Sequence, residues 1–254
     1  MTTPSDSLAS AARRSLLPGL AVTAITPDAD TVRAATMLIV LLAADGANVA
    51  AMVPVETGVE EACEPGSHGA LVRWAAAHLD TPRQVTPFAL PAVRSTMHAA
   101  DAAGVLLHGA AFDQAHDALC DGRTVLVVAD TVGLLDPITP SLTTLDLVSR
   151  WDLSVVLVSP VNRWTIGHLR LLATAVQARG NGLAGVVLTA STAGNDIDAD
   201  AVRDTAGAVL DCPVVMLPSV QSDHDRAELL AAARDCGMSR ITARIAGRAK
   251  ARAD

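Results

Sequence analysis

Six short apolar runs recur along the chain, each followed by a stretch with helical periodicity. They are Leu20–Ile25, Asn48–Val55, Thr124–Val128, Ser154–Ser159, Leu183–Leu188 and Pro213–Leu217. Their residues are nearly all apolar, with no polar–apolar alternation. A strand with one wet face alternates, whereas a strand covered on both faces does not. The segments between them predict helices over Asp28–Ala44, Gly66–Leu79, Ser95–Leu119 (broken near Gly104 and Gly109), Pro140–Arg150, Thr165–Arg179 and Ile197–Leu210, with more helix from about Asp223. Asp28 or Asp30 is the expected cap of the first helix. This alternation predicts an α/β fold: a single doubly wound parallel sheet with helices on both faces. Ligands then belong beyond the carboxyl ends of the strands.

At 254 residues the chain has room for a large buried core. We expect a flexible, Ser-rich leader over residues 1–18, one domain over 19–246 and a basic tail over 247–254. The net charge of -8 and an aromatic content of 2% argue against a nucleic-acid partner. The longest nearly apolar run, Ala34–Ala44, is too short to span a bilayer, which argues against a membrane partner. Cys63, Cys120, Cys212 and Cys236 form no C-x-x-C pair. With no secretory signal at the start, they point to a reducing compartment and predict a cytoplasmic protein.

The first strand-to-helix turn of such a fold is the usual phosphate site, where small residues let backbone N–H groups approach the anion. Here the turn reads AVTAITPDADTV, from Ala21 to Val32, with no Gly, Lys or Arg. Asp28 and Asp30 would repel a triphosphate, and Pro27 removes a donor. Four glutamates, Glu56, Glu60, Glu61 and Glu64, crowd the loop after the second run. They read as a solvated acidic loop, with a paired-carboxylate or metal site as the alternative. The run VLVVAD delivers Asp130 to a strand end, where such an Asp caps a turn or holds magnesium. The seven histidines form no H-x-x-x-H or H-E-x-x-H pattern. No G-x-S-x-G or G-x-G-x-x-G is present.

Several segments, in order, resemble the dethiobiotin synthetase family. They are GLAVTAI from Gly19, VAAMVPVETG over Val49–Gly58, GLLDP from Gly133, and SLTTLDLVSRWDLSVVLVS over Ser141–Ser159. Then come TIGH from Thr165, GLAGVVL from Gly182 and PVVMLP from Pro213. The resemblance covers about Gly19 to Pro218. It implies a P-loop-NTPase-like fold, a homodimer, and MgATP-dependent carboxylation and ring closure of 7,8-diaminononanoate.

The family's working residues map poorly onto this chain. Against the loop V-T-G-T-D-T-x-V-G-K-T, Val22 and Thr23 are kept. The first Gly falls on Ala24, the Asp on Thr26, the second Gly on Asp30, the Lys on Thr31 and the magnesium-binding Thr on Val32. The catalytic Lys of K-P-V-x-[ST]-G falls on Val53, while Pro54, Val55, Thr57 and Gly58 remain. The magnesium Glu falls on Ala129, with Asp130 beside it as the candidate metal ligand. The Asn of T-I-N-H is Gly167, and the adenine-reading Asn falls on Thr189. Arg33 is the one nearby cation, a helical step past the lost Lys.

The losses fall on charge and the survivals on packing. The expected protein is a non-catalytic relative with no cofactor, which binds a partner or a small ligand, with Thr57 and Gly58 as retained substrate-side residues. The partner is a second copy of itself, an active paralogue or another biotin-pathway enzyme. The alternative is an active dethiobiotin synthetase with a rebuilt nucleotide site that uses MgATP.

Overall fold

The computed structural model describes residues 17–24, 30–77, 80–190 and 197–245. The expected leader up to residue 16, the tail over 247–254 and Thr26 of the first turn lie outside the described residues.

The chain runs β1 (Gly19–Ala24), α1 (Thr31–Ala44), β2 (Val49–Met52), β3 (Val55–Thr57), α2 (His68–Ala76), α3 (Pro82–Val85), β4 (Phe88–Leu90), α4 (Thr96–Ala103) and α5 (Gly109–Cys120). It continues β5 (Val125–Ala129), β6 (Pro137–Thr139), β7 (Leu142–Thr143), α6 (Thr144–Arg150), β8 (Ser154–Pro160), α7 (Thr165–Ala178), β9 (Leu183–Thr189), α8 (Ala199–Leu210), β10 (Val214–Met216) and α9 (Arg226–Asp235). Six strands form one parallel sheet in the order β10-β9-β8-β1-β5-β2. Every residue of β1 and β5 is buried, so both faces of the sheet centre are covered. On α1, eleven residues from Thr31 to Leu42 are buried, which fits its nearly unbroken apolar sequence. This helix packs on β1, β2 and β5 and against α2 and α9, while α7 packs on β8, β9 and α8. The doubly wound α/β architecture is as expected.

Two segments differ from the sequence reading. The run Asn48–Val55 does not form one strand. Pro54 interrupts it, and Val55–Thr57 leaves the main sheet to pair in parallel with β4, a strand the periodicity does not reveal. A three-residue strand holds too little pattern to detect. Residues 137–143 form an antiparallel hairpin, so the helix expected from Pro140 starts at Thr144 instead. A capping box sets that start: the Thr143 hydroxyl accepts from the Asp146 N–H, and the Asp146 carboxylate accepts from the Thr143 N–H at 2.8 Å.

The chain leaves β1 towards one side of the sheet and returns to its other side at β8. The crevice at this reversal, beyond the carboxyl end of β1, is where such folds hold ligands.

Candidate functional site at the carboxyl ends of the strands

Three elements meet at this crevice: the end of β1, the start of α1 and the loop after β5. Thr23 is fully buried on β1, and its hydroxyl donates to Asp130 Oδ2 at 2.6 Å. The Gly133 N–H donates to the same oxygen at 3.1 Å. The Val132 N–H, at 3.0 Å, and the Thr144 hydroxyl, at 3.4 Å, donate to Oδ1. The loop therefore winds around its own carboxylate. Gly133 permits this with φ +131°, and a Cβ there would stand 3.0 Å from Asp136 Oδ2. Burial pushes the Asp130 pKa up, and these four donors only partly offset it. Asp130, the candidate metal ligand, thus points inward with both oxygens engaged by the protein.

Asp30 occupies the N-cap position of α1 but makes no side-chain cap bond. It pairs with Arg33 at 3.2 Å. The Arg33 guanidinium also grips Asp223, with Nε 2.7 Å from Oδ1 and Nη2 3.2 Å from Oδ2. The Asp223 hydrogen bond raises the Arg33 pKa, with further help from the charge of Asp30. Arg33, a helical step past the position of the lost phosphate Lys, is therefore held between two carboxylates. Thr31 is buried, and Val32 belongs to the hydrophobic core.

The second loop departs further from a charged site. Val53 is 0% exposed, packs in the core, and its N–H bonds the carbonyl of Val85 at 2.9 Å. Ala129, on β5, is likewise 0% exposed. Thr57 is half-buried at the end of β3, and Gly58 is exposed with φ +80°. The Gly58 N–H is already engaged by the Leu90 carbonyl at 2.7 Å. At the far side of the sheet, the Thr165 hydroxyl donates to the Pro160 carbonyl at 2.8 Å, Gly167 is exposed, and Thr189 is buried at the end of β9. Ala24 ends β1 in the core.

The four glutamates do not gather. Glu56 turns inward, is 2% exposed, and accepts from the N–H groups of His68 at 2.5 Å and Gly69 at 2.9 Å. It neutralises the start of α2. Glu64 accepts from the N–H groups of Glu60 and Glu61, both at 3.0 Å. Among the described residues no group of three or more His, Cys, Asp or Glu is placed to hold a metal ion. The role of Glu56 was not legible in the sequence, because its partners lie in a helix twelve residues on.

The AAA domain family (AAA_26) matches residues 20–223. The chain belongs to this family. Its curated relatives include ATP-dependent dethiobiotin synthetases. The one from Nitrobacter hamburgensis is 43% identical over 61 residues, which is 24% of this chain and 29% of the relative. That from Anaeromyxobacter dehalogenans is 29% identical over 170 residues, 67% of this chain and 75% of the relative. That from Novosphingobium aromaticivorans is 32% identical over 158 residues, 61% of this chain and 66% of the relative. A ParA family ATPase from Chlorobium tepidum is a structural neighbour at a TM-score of 0.47 and 12% identity, covering 89% of this chain and 95% of that one. The AAA_26 match and these relatives establish kinship with the dethiobiotin synthetases.

Magnesium triphosphate carries several negative charges that a site must neutralise with cations. The described residues at the positions of the family's phosphate and magnesium groups do not supply that charge. Ala129 and Val32 have no side-chain oxygen, Asp130 is already saturated, and Arg33 is committed to acids. One further signal lies in plain composition: Lys250 is the only lysine in the chain.

Proposed function

We propose that this protein is a non-catalytic member of the dethiobiotin synthetase group. In this reading it keeps the frame, binds no nucleotide cofactor, and acts by binding. One observation carries the reading. The positions that correspond to the family's catalytic Lys and magnesium Glu are Val53 and Ala129, both fully buried. A site that had merely exchanged one charged group for another would keep polar side chains there. Transition-state stabilisation in phosphoryl transfer comes mainly from such charges. The partner in this reading is a second copy of the chain, an active paralogue or a biotin-pathway enzyme in the cytoplasm. Thr57 and Gly58 would face a small ligand.

Asp130 favours a second reading, an active dethiobiotin synthetase with a rebuilt site, because it stands one residue past the position of the magnesium Glu. Turnover separates the two. The protein is incubated with MgATP, bicarbonate and 7,8-diaminononanoate, and dethiobiotin is followed by mass spectrometry. The first reading predicts none above the no-enzyme control. Product at an enzyme-like rate that is lost in Asp130→Ala would establish the second.

A further inference from the structure

The last turns of α5 place a histidine, an aspartate and a cysteine together: His116, Asp117 and Cys120. This helix ends at Cys120, and β5 begins at Val125. The cluster therefore sits by the amino ends of the parallel strands, opposite the crevice.

Geometry assigns the histidine's proton. His116 Nδ1 stands 3.0 Å from Asp117 Oδ1, a carboxylate oxygen that only accepts, so Nδ1 carries the hydrogen. Nε2 keeps its lone pair and faces Cys120 Sγ at 3.6 Å. Without a metal, a weak S–H···N bond spans that gap. The ring is held in place. It is buried and stacks on Trp151, with centroids 4.9 Å apart and planes 17° from parallel. Trp151 is fixed in turn, since its Nε1–H donates to Asp113 Oδ1 at 3.1 Å, while Arg150 donates to Asp113 Oδ2 at 2.8 Å.

The separation of nitrogen and sulfur selects a ligand. Metal bonds of about 2.05 Å to imidazole nitrogen and about 2.3 Å to thiolate sulfur, spanning 3.6 Å, enclose an angle of about 110°. That is the tetrahedral geometry of zinc. Ligands four residues apart on a helix share one face and can meet one metal. The carboxylate behind Nδ1 is the partner that orients a metal-bound histidine. The C-terminal end of the helix and the exposed Asp117 and Asp121 add negative charge. Arg123, the nearest cation along the chain, is committed to Asp80 at 2.6 Å and Asn48 at 3.0 Å. A hard cation such as magnesium prefers oxygen and does not suit this pair.

We propose that His116 Nε2 and the Cys120 thiolate form an open site for one zinc-class d10 cation. Binding breaks the Cys120 S–H bond, forms bonds from sulfur and Nε2 to the metal, and releases the proton to water. Water fills the positions that two side chains leave. Asp117 is a positioning residue. The proposal does not depend on whether the crevice takes a nucleotide.

The test titrates Cd2+ into the reduced protein and follows the ultraviolet thiolate-to-cadmium absorption. One equivalent is expected to bind with that absorption, Zn2+ should displace it, and Mg2+ should not. Cys120→Ser should abolish it. Asp117→Ala, at an exposed helix position, should weaken binding about tenfold, and His116→Gln should weaken it more. Imidazole NMR of the wild type gives a readout that needs no variant: Zn2+ should shift His116 Nε2 while Nδ1 keeps its proton. No thiolate absorption in the wild type overturns the proposal. So does absorption that persists in Cys120→Ser, an unmoved His116 Nε2 at saturation, or an affinity that neither Asp117→Ala nor His116→Gln changes.

Discussion

The Thr23 hydroxyl and Asp130 Oδ2 lie 2.6 Å apart across the neighbouring strands β1 and β5. This contact ties the first strand to the loop that winds back around Asp130. It turns a strand-end carboxylate, which in a nucleotide enzyme would face outward to a metal, into an internal fastening. Replacing Thr23 with Val keeps the shape and removes the donor. Thr23→Val should cost about 1–3 kcal/mol, the range for a lost hydrogen bond to a charged or buried acceptor. Urea denaturation measures it, and an unchanged midpoint would show that the contact contributes nothing.

The same carboxylate should give a pH signature of definite sign. Burial raises the Asp130 pKa, so the folded protein holds this proton more tightly than the unfolded chain. Its contribution is therefore full below the ordinary carboxylate pKa and falls as pH rises through the folded value. The stability of wild type minus that of Asp130→Asn should decrease from about pH 4 upward. A difference that grows with pH over that window would contradict the inward, desolvated placement.

Asp146 should behave in the opposite way. Burial opposes its ionisation, but the Thr143 N–H and hydroxyl together with Arg179 outweigh it, so its pKa is lowered. Its contribution is present above the ordinary carboxylate pKa and is lost as pH falls through the lower folded value. Asp146→Asn should cost about 1 kcal/mol at neutral pH, as a lost capping interaction does. That cost should shrink in acid. Thermal unfolding of both proteins across pH 2–7, with the range set about the carboxylate values, measures it.

Much of this was legible in the sequence, for identifiable reasons. Long apolar runs such as VLVV before Asp130 and VVLVS in β8 can only be doubly covered strands, so the sheet followed directly. Asp30 was readable as the first residue of the α1 boundary, although its side chain turned out to serve Arg33 rather than the helix amides. The short strands β3 and β4 were not readable, because three residues carry no period and pairing is a property of two distant segments. The absence of charge at Val53 and Ala129 was plain, but their burial was not. Arg33 was readable as a cation a helical step past the lost Lys, and only the fold brings Asp223, 190 residues on, to meet it.

Val53 also gives a direct test of whether the site can be repaired. Its side chain lies in the hydrophobic core, where an ammonium would be desolvated. Val53→Lys should destabilise the protein by about 3–5 kcal/mol, the scale of an uncompensated buried charge. It should yield no ATP-dependent ring closure. A variant that is as stable as wild type, or that turns over MgATP, would mean that the surroundings are still those of an active site.

In the proposed reading this frame binds no nucleotide, and calorimetry measures that binding itself. MgATP is titrated into the protein alone and again with 7,8-diaminononanoate present. No saturable heat is expected in either titration. Saturable binding with a dissociation constant of about 1 μM, or about -8 kcal/mol, would overturn that reading.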